Sequence, residues 1–363
     1  MKRTPLIENH RKAGAKLVDF AGWEMPIQYS GVLDEYHAVR TAAGLFDVSH
    51  MGRITVEGRE ATAFLQQITT NNVEKLAVGA AQYSMVCNPA GGIKDDIFVY
   101  RGPRGFMLCV NASNRDKIVS WLCQRAPQGD VRISDESDEV AQIALQGPHS
   151  PAILKILNPA VADTLKPRHW RETELLGVRC SVSRTGYTGE VGYELYLPSS
   201  SAGKIWDGLV QAGQGHGVKP CGLGARDLLR LDVGYLLYGN DIDEDTTPLE
   251  AGVEWAVDLT KPDFVGKAAL ILQQEKGLPR KLVAFELLQK AVPRHGMKMF
   301  SEAERIQEIG IVTSGNLSPK LQKGIGLGYV AIACSSPGTE VLIDIRGHAH
   351  PAKVVRLPFY KRK

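Results

Sequence analysis

The sequence predicts an α+β fold, two duplicated strand–helix units on antiparallel sheets followed by a small C-terminal β-barrel. Three observations carry this prediction: an internal repeat at a constant offset of 89 residues, a glycine-turned hairpin behind each copy, and a change to short strand-like runs beyond about residue 281. With 363 residues the chain is too long for one ordinary core. At roughly 150 residues per domain it holds two or three.

The repeat aligns ITVEGREATAFLQQI, from Ile54, with IALQGPHSPAILKIL, from Ile143, so that Val56 meets Leu145, Gly58 meets Gly147 and Leu65 meets Leu154. Period-two alternation predicts a strand in each copy, the glycine ends it, and apolar residues three and four apart predict a helix behind it. The first hairpin is QYSMVCNPAGGIKDDIFVY and the second VRCSVSRTGYTGEVGYELYL. Each is followed by a further helix, in ASNRDKIVSWLCQ and SSSAGKIWDGLVQAG, opening on small polar caps. The repeat units span about 50–135 and 138–215. LILQQEKGLPRKL, about 270–282, is polar and broken by Gly and Pro, which predicts a linker. The runs KLVAFELL, IGIVTSG, GIGLGYVAI, TEVLIDI and AKVVRLPF then predict the barrel. The expected domains are 1–275 and 281–363.

Composition narrows the function. The net charge of +3 is spread along the chain, which gives no footprint for nucleic acid. No run reaches the roughly 18 apolar residues of a membrane span, and MKRTPLIENHRK lacks the apolar stretch of a secretory leader, so a cytoplasmic protein is expected. The six cysteines stand apart without CxxC or His/Cys clustering, so no metal is expected.

In GGIKDDIFVY, alternation sends Asp95 to one face with Ile93, Ile97 and Val99, and Asp96 to the other with Phe98 and Tyr100. An acid on an aromatic face suits a flat polar heterocycle, which favours Asp96 over Asp95 as the functional acid. The alternative is that one aspartate caps the turn and the other is solvated. In the second hairpin Glu194 shares a face with Tyr196, and we expect it to be the repeat's counterpart of Asp96, unless it is simply an exposed hairpin glutamate. A carboxylate in that position accepts two parallel N–H bonds from an amidine-like edge. GLGARD, from Gly222, is a poor dinucleotide fingerprint because Asp227 replaces the third glycine. Its glycines instead open a helix that carries Arg226 in its first turn, for a carboxylate ligand or for a structural ion pair. FDVSHMGR holds Asp47, Ser49 and His50 too close together for a hydrolase triad.

DFAGWEMPIQY, VRTAAGLFDVSHMG, NPAGGIKDDIFVY, VSRTGYTGEVGYEL, PCGLGARDLLRLD and IVTSGNLSP, in this order, resemble the T-protein family of the glycine cleavage system, the tetrahydrofolate-dependent aminomethyltransferases. The resemblance runs from Thr4 to the PFY near the C-terminus. It implies two interwoven, ferredoxin-like subdomains and a C-terminal barrel around a central folate cavity. It further implies transfer of the methylene carbon of an aminomethyl group, carried on the lipoyl arm of H-protein, to tetrahydrofolate with release of ammonia. By motif position, Asp96 resembles the catalytic acid, Glu194 the acceptor at the pterin edge, and Arg226, Tyr83, Asn111 and Tyr187 folate-site residues beside Tyr100. The KGCYxGQE signature of the related iron–sulfur assembly proteins is missing, YLLYGNDIDEDTTPLE standing in that region. A folate-dependent demethylase and a non-catalytic folate-binding protein of the same superfamily remain alternatives.

Overall fold

The computed structural model describes residues 1–301 and 307–362. The chain forms two compact units, Met1–Ser84 with Asp96–Asp227, and Met85–Asp95 with Leu228–Lys363.

Each repeat copy is a strand, a glycine with positive φ and a helix. These are Gly52–Glu57, Gly58 (φ 114) and Ala61–Ile68 in the first, and Val140–Gln146, Gly147 (φ 122) and Ser150–Leu157 in the second. Both glycines are sterically required. A Cβ at Gly58 would stand 2.0 Å from the Asp130 carbonyl oxygen, and one at Gly147 would stand 2.6 Å from that of Ala42.

The first copy belongs to a five-stranded sheet in the order Ala81–Cys87, Ile93–Arg101, Gly105–Val110, Gly52–Glu57, Arg132–Asp135. The second belongs to a six-stranded sheet, Trp170–Leu175, Val178–Ser183, Gly192–Pro198, Val140–Gln146, Ala43–Asp47, Val218–Pro220. The orders match strand for strand, apart from Ala43–Asp47. That strand is inserted from the N-terminal segment between two strands of the second copy and pairs in parallel with the last. The interweaving implied by the resemblance takes this form.

The match corrects one expectation. Glu194's strand, Gly192–Pro198, holds the sheet position of Gly105–Val110, whereas Asp96's strand, Ile93–Arg101, matches Val178–Ser183. The two acids are therefore not counterparts in the repeat. GFMLCV, Gly105–Val110, is the further strand that shifts the correspondence, and it is mostly buried with little alternation to mark it in the sequence. The core of the second sheet gathers Ile143, Leu145, Tyr193 and Leu195 beneath Leu154, Ile205 and Trp206 of its helices. N-terminal strands Lys2–Arg3, Lys16–Phe20 and Trp23–Gln28 form a separate three-stranded sheet.

In the second unit the barrel closes in the order Arg280–Leu287, Lys323–Ala331, Glu308–Ser318, Lys298–Ser301, Glu340–Ile345, His348–Val355, around Phe285, Met299, Val312 and Ile343. The expected linker is mostly helix. Lys267–Lys276 is helical, bounded by Gly266 (φ 94) and Gly277 (φ 82), because Leu270 is an apolar anchor in a run of good helix formers. Its polar residues are the solvated face of that helix.

Candidate active site

The aspartate strand alternates as its sequence requires. Ile93, Asp95, Ile97 and Val99 are buried, Asp95 completely, while Asp96 and Phe98 are partly exposed on the other face. Asp96 lies within the strand, not at the turn, and its carboxylate is held by side chains. Its Oδ2 accepts from the Tyr83 hydroxyl at 3.0 Å and its Oδ1 from Asn111 Nδ2 at 2.8 Å, the same amide also reaching the Asp96 carbonyl at 3.1 Å. Three of the expected site residues, on two strands and a following loop, thus meet at one carboxylate.

Aromatic rings continue from there along the same face. Tyr83 lies 6.1 Å from Phe98, Phe98 lies 5.9 Å from Tyr100, and Tyr100 lies 5.6 Å from Tyr196. At the far end stands Glu194. Its Oε1 accepts from Gln142 Nε2 at 3.1 Å, and its Oε2 accepts from the Thr185 hydroxyl and, at 3.5 Å, from Tyr100. No ion pair neutralises Glu194 among the described residues. Each carboxylate oxygen has two acceptor directions, so Oε1 retains one for a further N–H.

Arg226 sits in the helix Leu223–Asp232. The glycines before and within its first turn serve close approach. A Cβ on Gly222 would lie 2.4 Å from the Ile27 backbone, and one on Gly224 would lie 2.6 Å from Val32 Cγ2. The Arg226 guanidinium lies over the Tyr187 ring, 4.6 Å from its centroid. Burial lowers its pKa, against the opposing influence of Tyr187 and Glu194. The charge of Glu194 thus acts on Arg226 through space.

The neighbourhood is desolvated. Burial first, then the charge of Glu194, raises the Tyr100 phenol well above its ordinary value, and burial pushes the Cys109 thiol up to about 12. His50 lies buried with Nδ1 unpartnered, and burial together with Arg226 brings it down to about 3, so it is neutral. FDVSHMGR forms no triad. Asp47 accepts instead from His10 Nε2 (2.8 Å), Thr4 Oγ1 (2.6 Å) and Ser49 N (2.9 Å).

Sequence reasoning missed Gln142, Thr185 and Gln146. Gln146 donates to the Thr185 carbonyl and accepts from Thr188, which fixes the loop leading to Tyr187. A signal was present in VAQIALQ, where Gln142, Ala144 and Gln146 share one face of an otherwise apolar strand. Among the described residues no group of three His, Cys, Asp or Glu side chains is placed to hold a metal ion.

A mixed α/β chain that ends in a closed six-stranded barrel and carries an acid on an aromatic face defines a narrow class. Residues 6–261 match the GCVT N-terminal domain and 280–361 the glycine cleavage T-protein C-terminal barrel domain. An aminomethyltransferase of Halothermothrix orenii is 48% identical over 360 residues, 99% of this chain and all of the relative. One of Bacillus subtilis is 46% identical over 365 residues, the whole of both chains. The crystal structure of glycine cleavage system aminomethyltransferase T from Bartonella henselae superposes with a TM-score of 0.92 at 36% identity, covering 100% of this chain and 99% of that one. The chain belongs to the glycine cleavage T-protein family. Its activity is that of an aminomethyltransferase of the glycine cleavage system.

Proposed function

We propose that this aminomethyltransferase takes the aminomethyl group from the lipoyl arm of H-protein and delivers its carbon to tetrahydrofolate. The products are ammonia, 5,10-methylenetetrahydrofolate and dihydrolipoyl H-protein. The observation that carries this reading is the Asp96 carboxylate, partly exposed and held by Tyr83 and Asn111 beside Phe98. In the reaction the carbon loses its bonds to nitrogen and to lipoyl sulfur and gains two to folate nitrogens. The protons of those nitrogens leave with the ammonia and the thiol. Positive charge develops on the carbon as ammonia departs, and a fixed carboxylate stabilises it. Low water access protects the reactive one-carbon unit from hydrolysis.

In this reading Asp96 is the catalytic residue. Glu194 accepts from the pterin edge, and Arg226, Tyr187, Tyr83, Asn111 and Tyr100 complete the folate contacts. Residues 1–275 form the folate-binding region and 281–363 the barrel domain. The six unpaired cysteines suit a reducing compartment, which supports a cytoplasmic location.

The test compares two isosteric variants in folate affinity and in single-turnover transfer from aminomethyl-loaded H-protein. Asp96→Asn removes the charge and keeps the shape, so transfer should fall on the order of a hundredfold while folate affinity changes far less. Glu194→Gln should weaken folate binding by about 1–3 kcal/mol. Equal losses of binding and rate in both variants would end this division of labour, and an active Asp96→Asn enzyme would remove its catalytic half.

A further inference from the structure

Glu194 is the terminus of a buried hydrogen-bond network whose direction is set at one amide. Gln142, 1% exposed, donates from Nε2 to Glu194 Oε1 at 3.1 Å and to the Tyr196 hydroxyl at 3.2 Å. Because the Tyr196 oxygen accepts there, its proton goes to the Tyr100 oxygen at 3.0 Å. Tyr100 in turn faces Thr185 Oγ1 at 3.3 Å and Glu194 Oε2, and Thr185, itself 2.8 Å from Ser183 Oγ, donates to Glu194. Every proton in the chain points toward the carboxylate. The opposite end of the amide is pinned as well, since its Oε1 accepts from the Cys109 thiol at 3.6 Å. Rotating the amide would set its oxygen against the Glu194 carboxylate and take away the acceptor it offers the thiol.

We propose that Gln142 is a positioning residue for folate recognition, its two N–H groups orienting the network so that Glu194 meets the ligand only as an acceptor. The proposal rests on the reading of Glu194 as the folate-edge acceptor. It adds a reason for the choice of ligand, because a carboxylate fed by donors from behind accepts the paired N–H groups of an amidine-like edge and rejects a ligand that offers acceptors there.

The decisive variant is Gln142→Glu, which keeps the shape and replaces two donors with acceptors. Two carboxyl groups at this separation resist joint ionisation and take up a proton, and that shared proton restores one donor toward Glu194. The charged or titratable groups around the pair are Tyr100, Tyr196, Cys109, Arg53 and Arg226. The phenols and the thiol are raised, and arginines stay charged far above neutrality. His50, beside Arg226, titrates at about 3. None of them changes charge between pH 5 and pH 8, so a new pH dependence in that range belongs to the 142/194 pair.

Tetrahydrofolate dissociation constants are measured by fluorescence or calorimetry for the wild type and for Gln142→Glu from pH 5 to pH 8. The ratio of the two cancels titration of the ligand. The ratio should be about tenfold or more at pH 8 and shrink toward pH 5, with the loss in turnover falling mainly on KM. A folded Gln142→Glu protein whose ratio is flat with pH would overturn the proposal. If that variant fails to fold, Cys109→Ala releases the amide and should weaken folate binding roughly two- to threefold. Unchanged affinity in that protein would overturn the proposal instead. Glu194→Gln is the parallel arm. Wild-type folate affinity there removes the underlying reading and this proposal with it, whereas weakened binding combined with a flat Gln142→Glu ratio overturns the role of Gln142 alone.

Discussion

Asp47 and His50, three residues apart, tie the stability of this fold to pH in the same direction. Burial works against the Asp47 carboxylate, yet His10, Thr4 and Ser49 together hold its pKa below the ordinary value. A depressed carboxylate contributes stability above its unfolded pKa and loses it as the pH falls through the folded one. His50 is neutral when folded, at about 3, and protonates near 6.5 when unfolded, so the unfolded chain binds the extra proton between those values. Stability therefore drops as the pH falls from about 6.5 toward 3. His50→Asn, which retains a polar group and cannot titrate, should flatten the slope of unfolding free energy against pH between 6 and 4 by close to one proton. Urea titrations at several pH values measure that slope, and an unchanged slope would show that His50 is not buried neutral. The residue scale was also where the sequence was least legible. Asp47 and His50 were visible as residues of interest, but the Asp47 partner, His10, lies 37 positions away in an exposed-looking basic segment.

At the scale of elements, what could be read was what alternates. Strands such as Val178–Ser183 and His348–Val355 alternate buried and more exposed residues over part of their length, so their sequence carries the period. Ala43–Asp47 does not, because it lies between two strands of one sheet and all five of its residues are buried. The helix Leu223–Asp232 was legible through its glycines, although the physical reason for them emerged only from packing. Gly222 N–H donates to Glu35 Oε2 at 2.8 Å, and Glu35, wholly buried, also accepts from Tyr29 N and Gly31 N. Gly222→Ala would press a methyl group into the Ile27 backbone and shift the helix that carries Arg226. It should destabilise the protein by about 1–3 kcal/mol and weaken folate binding. Gly215→Ala, where nothing lies within 4 Å of an added Cβ, is the control and should be neutral. Thermal unfolding and folate titration separate the two, and equal behaviour of the variants would refute the packing argument.

For the whole molecule, the interlocked order of strands was beyond composition and periodicity, since pairing Ala43–Asp47 with Val140–Gln146 joins segments about a hundred residues apart. The duplicated units were readable because both copies keep the same glycine for the same steric reason. Charge acts at this scale too. The 43 Lys and Arg against 40 Asp and Glu leave a net charge of only +3, too little to steer a carrier protein by the field of the whole molecule. On the proposed function, attraction to an acidic H-protein would come from particular cations. Arg294 is a candidate to test, exposed, with its guanidinium donating to the Gly315 carbonyl at 3.0 Å and making no ion pair among the described residues. Arg294→Ala should weaken H-protein binding on the order of threefold at low ionic strength and reduce the dependence of affinity on salt, leaving folate affinity as it was. Calorimetric titration of lipoyl H-protein between low and high salt decides this. A variant that keeps the wild-type salt dependence would place the docking cations elsewhere on the surface.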